Sequence, residues 1–234
     1  MSYAGGPPRV WHVDTVRHRP SSSWEYTAHM KRRSRKLVGL VAAVAVTLGG
    51  LFVITLGVAP GASAATTRQL DYSFQWQQNG FYCGPAATRI ALSARGLYFS
   101  QNDLAGQLGT TTAGTNSASD TTRVLNRLAH TSFYETKMIP GNFANQAQIN
   151  RLQWDIVFDI DRNYAIVANV VGTAFDTDGD RHSYGGGHYL AVVGYRDGGW
   201  TAKIADSADA QHVGWYWIST TRLAHWIAAR GYSA

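Results

Sequence analysis

Disulfides are the first thing this chain does without. Cys83 is the only cysteine in 234 residues. No intramolecular bridge can hold the fold, and the thiol is either a reactive group or a small buried apolar residue. Net charge is also missing where it would matter. Residues 1–64 carry eight Lys and Arg against two acids, Asp14 and Glu25, whereas residues 65–234 carry thirteen of each sign. The sequence pI near 9.5 therefore belongs to the leader, and a neutral remainder excludes a basic nucleic-acid face. No glycine loop followed by lysine is present to cradle phosphate. One cysteine and no histidine pair at helical ligand spacing argue against zinc. No internal repeat and no long Pro/Ser linker divides the chain after residue 64, which predicts one domain over 65–234 with neither metal nor cofactor.

The long apolar run is confined to the leader. Lys31 to Lys36 is cationic, Leu37 to Ala59 is apolar, Pro60-Gly61 breaks the run, and Ala62-Ser63-Ala64 has small residues where signal peptidase cuts. Residues 30–64 are thus expected to be a cleaved signal peptide, which predicts a secreted protein. The alternative is an uncleaved membrane anchor over 37–59, with the C-terminal domain still outside. The membrane is met only through this segment. Residues 1–29 read as a non-structured extension, or as sequence upstream of a true start at Met30.

Beyond the leader, Leu70, Tyr72, Phe74 and Trp76 alternate with polar residues and predict a half-buried strand. Gln77 to Gly80 predicts a turn. Pro85 to Ala94, with Gly96 beyond, carries helix punctuation at both ends. Ser100 and Asp103 mark the start of a second helix. Val124, Leu125 and Leu128 mark a third, and Phe133–Ile139 looks extended. Ile149, Leu152, Ile156, Val157 and Ile160 recur at helical spacing and predict the longest helix. Strand-like runs follow at Tyr164–Val171, His188–Tyr195, Thr201–Ala205 and Trp215–Ile218, and a helix striped by Leu223, Trp226 and Ile227 closes the chain. Helices first and strands second predict an α+β fold, its N-terminal helices packed on a C-terminal antiparallel sheet.

The chemistry concentrates at two places. Cys83-Gly84-Pro85 sets the thiol at a helix N-terminus, where unpaired N–H groups and the dipole favour a thiolate. Gln77, six residues earlier, is placed to share an oxyanion with the Cys83 N–H. Of the histidines after residue 64, His188 stands out, between the run Gly185-Gly186-Gly187 and a buried strand. The turn Asp197-Gly198-Gly199 leads into the strand Thr201–Ala205, with Asp206 just after it. If that hairpin sets Asp206 opposite His188 or Leu190, the carboxylate and imidazole share a face, and a one-residue slip would separate them. Asp176 to Asp180 lacks the glycine position and terminal glutamate of a calcium loop and reads as a solvated acidic loop, with a weak cation site as the lesser alternative.

These residues resemble a known family. Gln77–Ala87 (QQNGFYCGPAA) and Gly187–Tyr195 (GHYLAVVGY) are similar to the two signature blocks of papain-like cysteine peptidases of the bacteriocin-processing, double-glycine type, the thirty-ninth family, in a stand-alone exported form. Ile204-Ala205-Asp206 resembles its third block. The resemblance implies a papain-like fold with Cys83 as nucleophile, His188 as base, Asp206 as the group orienting it and Gln77 as oxyanion donor. It implies a peptide or protein substrate acted on by a monomer. Ser207 stands where proline is usual, and the transporter domains of the family's larger members are absent, so a bacteriocin-leader substrate does not carry over. Two other functions fit the same residues: a catalytically silent papain-fold binding or regulatory module, and a cell-wall peptide hydrolase or amide transferase.

Overall fold

The first helix begins on the cysteine itself. In a computed structural model, which describes residues 67–209 and 213–234, α1 spans Cys83–Ser93 and buries Ala86, Ala87, Ile90, Ala91 and Leu92. The second, α2 (Gln101–Leu108), starts at Ser100, whose hydroxyl accepts from the Asp103 N–H, and stops at Gly109 in the left-handed conformation. That is the pairing of a polar N-cap with a terminal glycine that stabilises a short helix. Helix α3 (Ala118–Leu128) follows, then the short strand β2 (Thr136–Met138). The longest helix is α4 (Gln146–Ile160), opened by a full capping box between Asn145 and Gln148. Helices α1, α2 and α3 pack on one another, and α1 lies against the sheet.

The sheet comes from the second half. Strands β3 (Ile166–Phe175), β4 (Arg181–Arg196), β5 (Thr201–Ala205) and β6 (Trp215–Ser219) follow in order, and α5 (Thr220–Ile227) leads to a last strand, β7 (Gly231–Ser233). With β1 (Arg68–Gln69) added on β4, the seven described strands form one sheet of order β2-β7-β3-β4-β5-β6, every pair antiparallel. This is the α+β architecture expected from the order of elements. The leader at 30–64 and the stretch 1–29 lie outside the described residues. Among the described residues no helix is long and apolar enough to cross a membrane.

Three expectations are corrected. The alternating run from Leu70 to Trp76 is not a sheet strand, because pairing ends at Gln69. Helix side chains take the place of a neighbouring strand: Ser93 Oγ accepts from the Ser73 N–H at 2.9 Å, and Gln101 Oε1 from the Gln78 N–H at 3.0 Å. The buried Gln101 amide also donates to the Trp76 carbonyl at 2.8 Å, which satisfies the backbone without a ladder. Second, β4 starts at Arg181, seven residues before the expected His188, because Asp176–Asp180 is the turn of a long hairpin with β3. That turn is not wholly solvated. Asp178 and Asp180 are exposed, but Asp176 is buried and accepts from both of their N–H groups at 2.9 and 2.8 Å. Third, β7 joins the sheet with no mark in the sequence, being three residues with no alternation long enough to read.

Two irregularities in β4 set the places of His188 and Asp206. Val170 pairs with His188 and Gly172 with Tyr184, so Gly185, Gly186 and Gly187 bulge out opposite the single residue Val171. Gly187 takes φ +96°, which suits only glycine. At the other end, Arg196 pairs with Thr201 and Gly194 with Lys203, a register that would send Asp206 to the face away from His188. The bulge at Val193 removes the slip. Val192 then pairs with Ile204 and Ala191 with Ala205, so Asp206 emerges level with Leu190, on the face of His188.

Candidate active site

Helix α1 presents its N-terminus bare. Its N-cap, Tyr82, makes no side-chain cap, and no acidic residue sits in the first turn. Pro85, third in the helix, has no N–H to leave unsatisfied. The Cys83 and Gly84 N–H groups are therefore the unpaired donors at the positive end of the dipole. Gly84 is dictated by packing: a Cβ there would lie 2.2 Å from Thr115 Oγ1.

The structure brings Cys83, His188 and Asp206 together. Cys83 lies close enough to the His188 ring for each to shift the other's titration. His188 Nε2 lies 2.7 Å from Asp206 Oδ1, which leaves Nδ1 for the thiol. Both members of the His–Asp pair are buried, Asp206 completely. Asp206 is fully engaged by donors: the Tyr184 hydroxyl at 2.9 Å and the Tyr216 hydroxyl at 3.0 Å reach Oδ2, and the Ala208 N–H reaches Oδ1 at 3.1 Å. The Tyr184 ring stacks on His188 with centroids 3.9 Å apart, and Trp226 stacks behind Tyr184 at 5.8 Å. Water is thereby kept from one face of the imidazole.

The electrostatics follow from this packing. Burial pushes the Asp206 carboxyl up, but the charge and hydrogen bond of His188, then the Ala208 N–H and the Tyr184 hydroxyl, outweigh it and hold the group below the usual carboxylate value. Burial opposes an imidazolium too, yet the Asp206 charge and hydrogen bond, with help from Cys83, raise His188 from 6.5 to about 9. For Cys83, burial raises the thiol, while His188 and the backbone N–H groups of Tyr189 and Gly84 bring it below its ordinary value. Both shifts run toward the charged forms, a thiolate beside an imidazolium. Burial and the adjacent carboxylate push the Tyr184 and Tyr216 hydroxyls far up, so both remain donors.

Gln77 is tied to the same cluster from the other side. Its N–H donates to the Ser207 carbonyl at 3.1 Å, and the Ser207 hydroxyl donates to its Oε1 at 3.4 Å. Its Nε2 donates to the Asn79 carbonyl at 2.8 Å, which occupies one of two N–H bonds. The residue that departs from the family pattern, Ser207, thus fixes the orientation of the Gln77 amide. Beside Cys83 opens a cavity of about 210 Å³, lined among others by Thr115, Asn116, Asn169, Gly187 and Arg230. Among the described residues, no three His, Cys, Asp or Glu side chains converge as metal ligands.

Sequence reasoning missed the bonds of Tyr184 and Tyr216 to Asp206. Both were reachable by parity. Tyr184 is an even number of residues from His188 and the glycine bulge keeps that parity, while Tyr216 pairs with Ile204, which shares a face with Asp206.

Residues 69–234 match the model described as the Peptidase_C39 like family. No curated protein matches the chain. Among solved structures, the chain is similar to a Bacillus anthracis protein described as a C39-like peptidase, with TM-score 0.48 and 11% identity over 72% of this chain and 96% of that one. It is similar to the peptidase domain of ComA from Streptococcus, a bifunctional ABC transporter involved in a quorum-sensing pathway, with TM-score 0.43 and 17% identity over 70% and 96%. A double-glycine-motif protease from an AMS/PCAT transporter, solved in complex with a leader peptide, gives TM-score 0.44 and 12% identity over 70% and 91%.

Proposed function

The chain belongs to the Peptidase_C39 like family, and from that premise we propose that it is a cysteine peptidase using Cys83 as nucleophile, His188 as acid and base, and Asp206 to orient the imidazole. The observation that carries this reading is the thiol on the uncapped first residue of α1, in electrostatic reach of a histidine whose Nε2 is held 2.7 Å from a fully buried carboxylate. In the reaction the Cys83 thiolate attacks the peptide carbonyl carbon. An S–C bond forms and the carbonyl π electrons move to oxygen. The Cys83 N–H and the remaining N–H of Gln77 Nε2 donate to that oxyanion. The intermediate collapses, the C–N bond breaks, and His188 gives its Nδ1 proton to the leaving amine. Water then attacks the thioester, losing a proton to His188. The C–S bond breaks and the new carboxylate departs, restoring the thiolate–imidazolium pair.

The leader composition supports export as the setting, with the domain outside the membrane whether residues 30–64 are removed or retained. The chemistry is tested by alkylating the full chain with iodoacetamide across about pH 4–9, beside His188→Ala. Rapid reaction with an apparent pKa well below that of free cysteine, about 8.5, and lost in His188→Ala, is the expected result. A thiol that reacts like free cysteine in both proteins, or only after denaturation, refutes it.

A further inference from the structure

The cavity beside Cys83 contains a cation with nothing to hold. Arg230 is half-buried and lines that cavity. Of the arginines among the described residues it alone has a guanidinium with neither a hydrogen bond nor an ion pair. Arg68, Arg89, Arg95, Arg123, Arg127, Arg151, Arg162, Arg181, Arg196 and Arg222 each donate to a carbonyl, carboxylate, amide or hydroxyl oxygen. A partly desolvated guanidinium with five donors and no acceptor is costly in the free protein, and the cost is recovered by a ligand that supplies oxygen atoms.

The backbone around Arg230 holds it there. Ala229 sits at φ +63°, a left-handed conformation that a side chain disfavours. It is fixed by hydrogen bonds from its N–H to the Ile139 carbonyl and from the Ile139 N–H to the Arg230 carbonyl, at 2.9 and 3.1 Å. Across the cavity the wall is bare of side chains. A Cβ on Gly187 would lie 3.4 Å from Arg230 Nη2, and Gly186 has open space beside it. The bulge leaves these glycines out of the regular pairing of β3 with β4. The remaining wall is neutral and polar, with Thr115, Asn116 and Asn169. A small cavity with one cation, neutral polar walls and the thiol at its side selects a small anionic group.

We propose that this cavity is an anion subsite in which Arg230 binds a carboxylate of the substrate, on a residue next to the scissile bond. Planar guanidinium and planar carboxylate pair through two parallel N–H···O bonds, which gives orientation as well as attraction. The carboxylate is an acidic side chain or the free α-carboxylate of a peptide end. The inference rests on the peptidase reading and narrows its substrate class.

The test uses Cys83 as the reporter, so no substrate need be known. Iodoacetate and iodoacetamide both transfer a carbon to sulfur with loss of iodide, and differ by the carboxylate. The ratio of their rates in the full chain is expected to fall about tenfold in Arg230→Gln, the loss of one charge-assisted interaction, and to be largely kept in Arg230→Lys. Protection of the wild-type thiol needs no variant. N-acetylglutamic acid α-amide carries only a side-chain acid, N-acetylglutamine only an α-carboxylate, and N-acetylglutamine amide neither. Slower iodoacetamide reaction with the first or the second identifies the carboxylate's source, while equal protection by all three overturns the proposal. An iodoacetate-to-iodoacetamide ratio unchanged in Arg230→Gln overturns it too, and leaves the peptidase reading intact. A wild-type thiol inert to both reagents refutes the peptidase reading itself, and this inference with it.

Discussion

Asp206→Asn isolates the electrostatics of the site. The substitution keeps size and one acceptor oxygen but removes the charge that His188 Nε2 meets at 2.7 Å. In the native protein the imidazole is raised from 6.5 to about 9, a preference for the charged form of roughly 3 kcal/mol. Burial pulls the other way and only Cys83 is left to favour the charge, so without the carboxylate the ring is expected to lose most of that upward shift. The thiol then loses its cationic partner. A free cysteine is only about 3% ionised at pH 7, so alkylation at that pH should slow by roughly thirtyfold or more. The assay pairs an NMR titration of the His188 ring with iodoacetamide rates across pH. A His188 that titrates in Asp206→Asn where it does in wild type would refute the reasoning, since the carboxylate would not be what holds the imidazolium.

Three further outcomes are expected from the same packing. Because the folded value of His188 lies above its unfolded 6.5, its stabilisation is complete below pH 6.5 and is lost as pH rises through about 9. The Tm advantage over His188→Ala should therefore shrink between pH 6 and 9.5, and a constant difference contradicts this. Gly84→Ala drives a Cβ to 2.2 Å from Thr115 Oγ1 and should cost about 1–3 kcal/mol in a denaturant melt. An unchanged midpoint would show that the Thr115 wall yields. Asp159 is raised from 3.8 to about 8 by burial and then by Asp155, and its Oδ2 has no hydrogen-bond partner. Its penalty grows as pH rises from 3.8 to 8, so Asp159→Asn should stabilise at pH 7 by on the order of 3 kcal/mol, and destabilisation there would be the contrary result.

Elements with a strong local signal were legible. The α4 stripe, the Ser100 cap and the strand Thr201–Ala205 stand where spacing and turn residues put them. The elements that failed depend on partners distant in sequence. Nothing local in Leu70–Trp76 says that Gln101 and Ser93, rather than a strand, will take its backbone hydrogen bonds. The pairing of His188 with Asp206 was readable as a question of parity, yet the turn alone gives the wrong answer, and only the bulge at Val193 restores the right face. Cys83, Gly84 and Pro85 announce a helix start by residue type. Arg230 could not be singled out, because a lone arginine has no pattern until the fold sets it beside the thiol without an anion.

Cleavage of peptides tests the central claim most directly. Full-length wild type and Cys83→Ala are incubated with a tryptic library of peptides, and new termini are read by mass spectrometry. New termini with wild type that are absent with Cys83→Ala are the predicted result. The same termini from both proteins, or none from an alkylation-competent wild type, would contradict it.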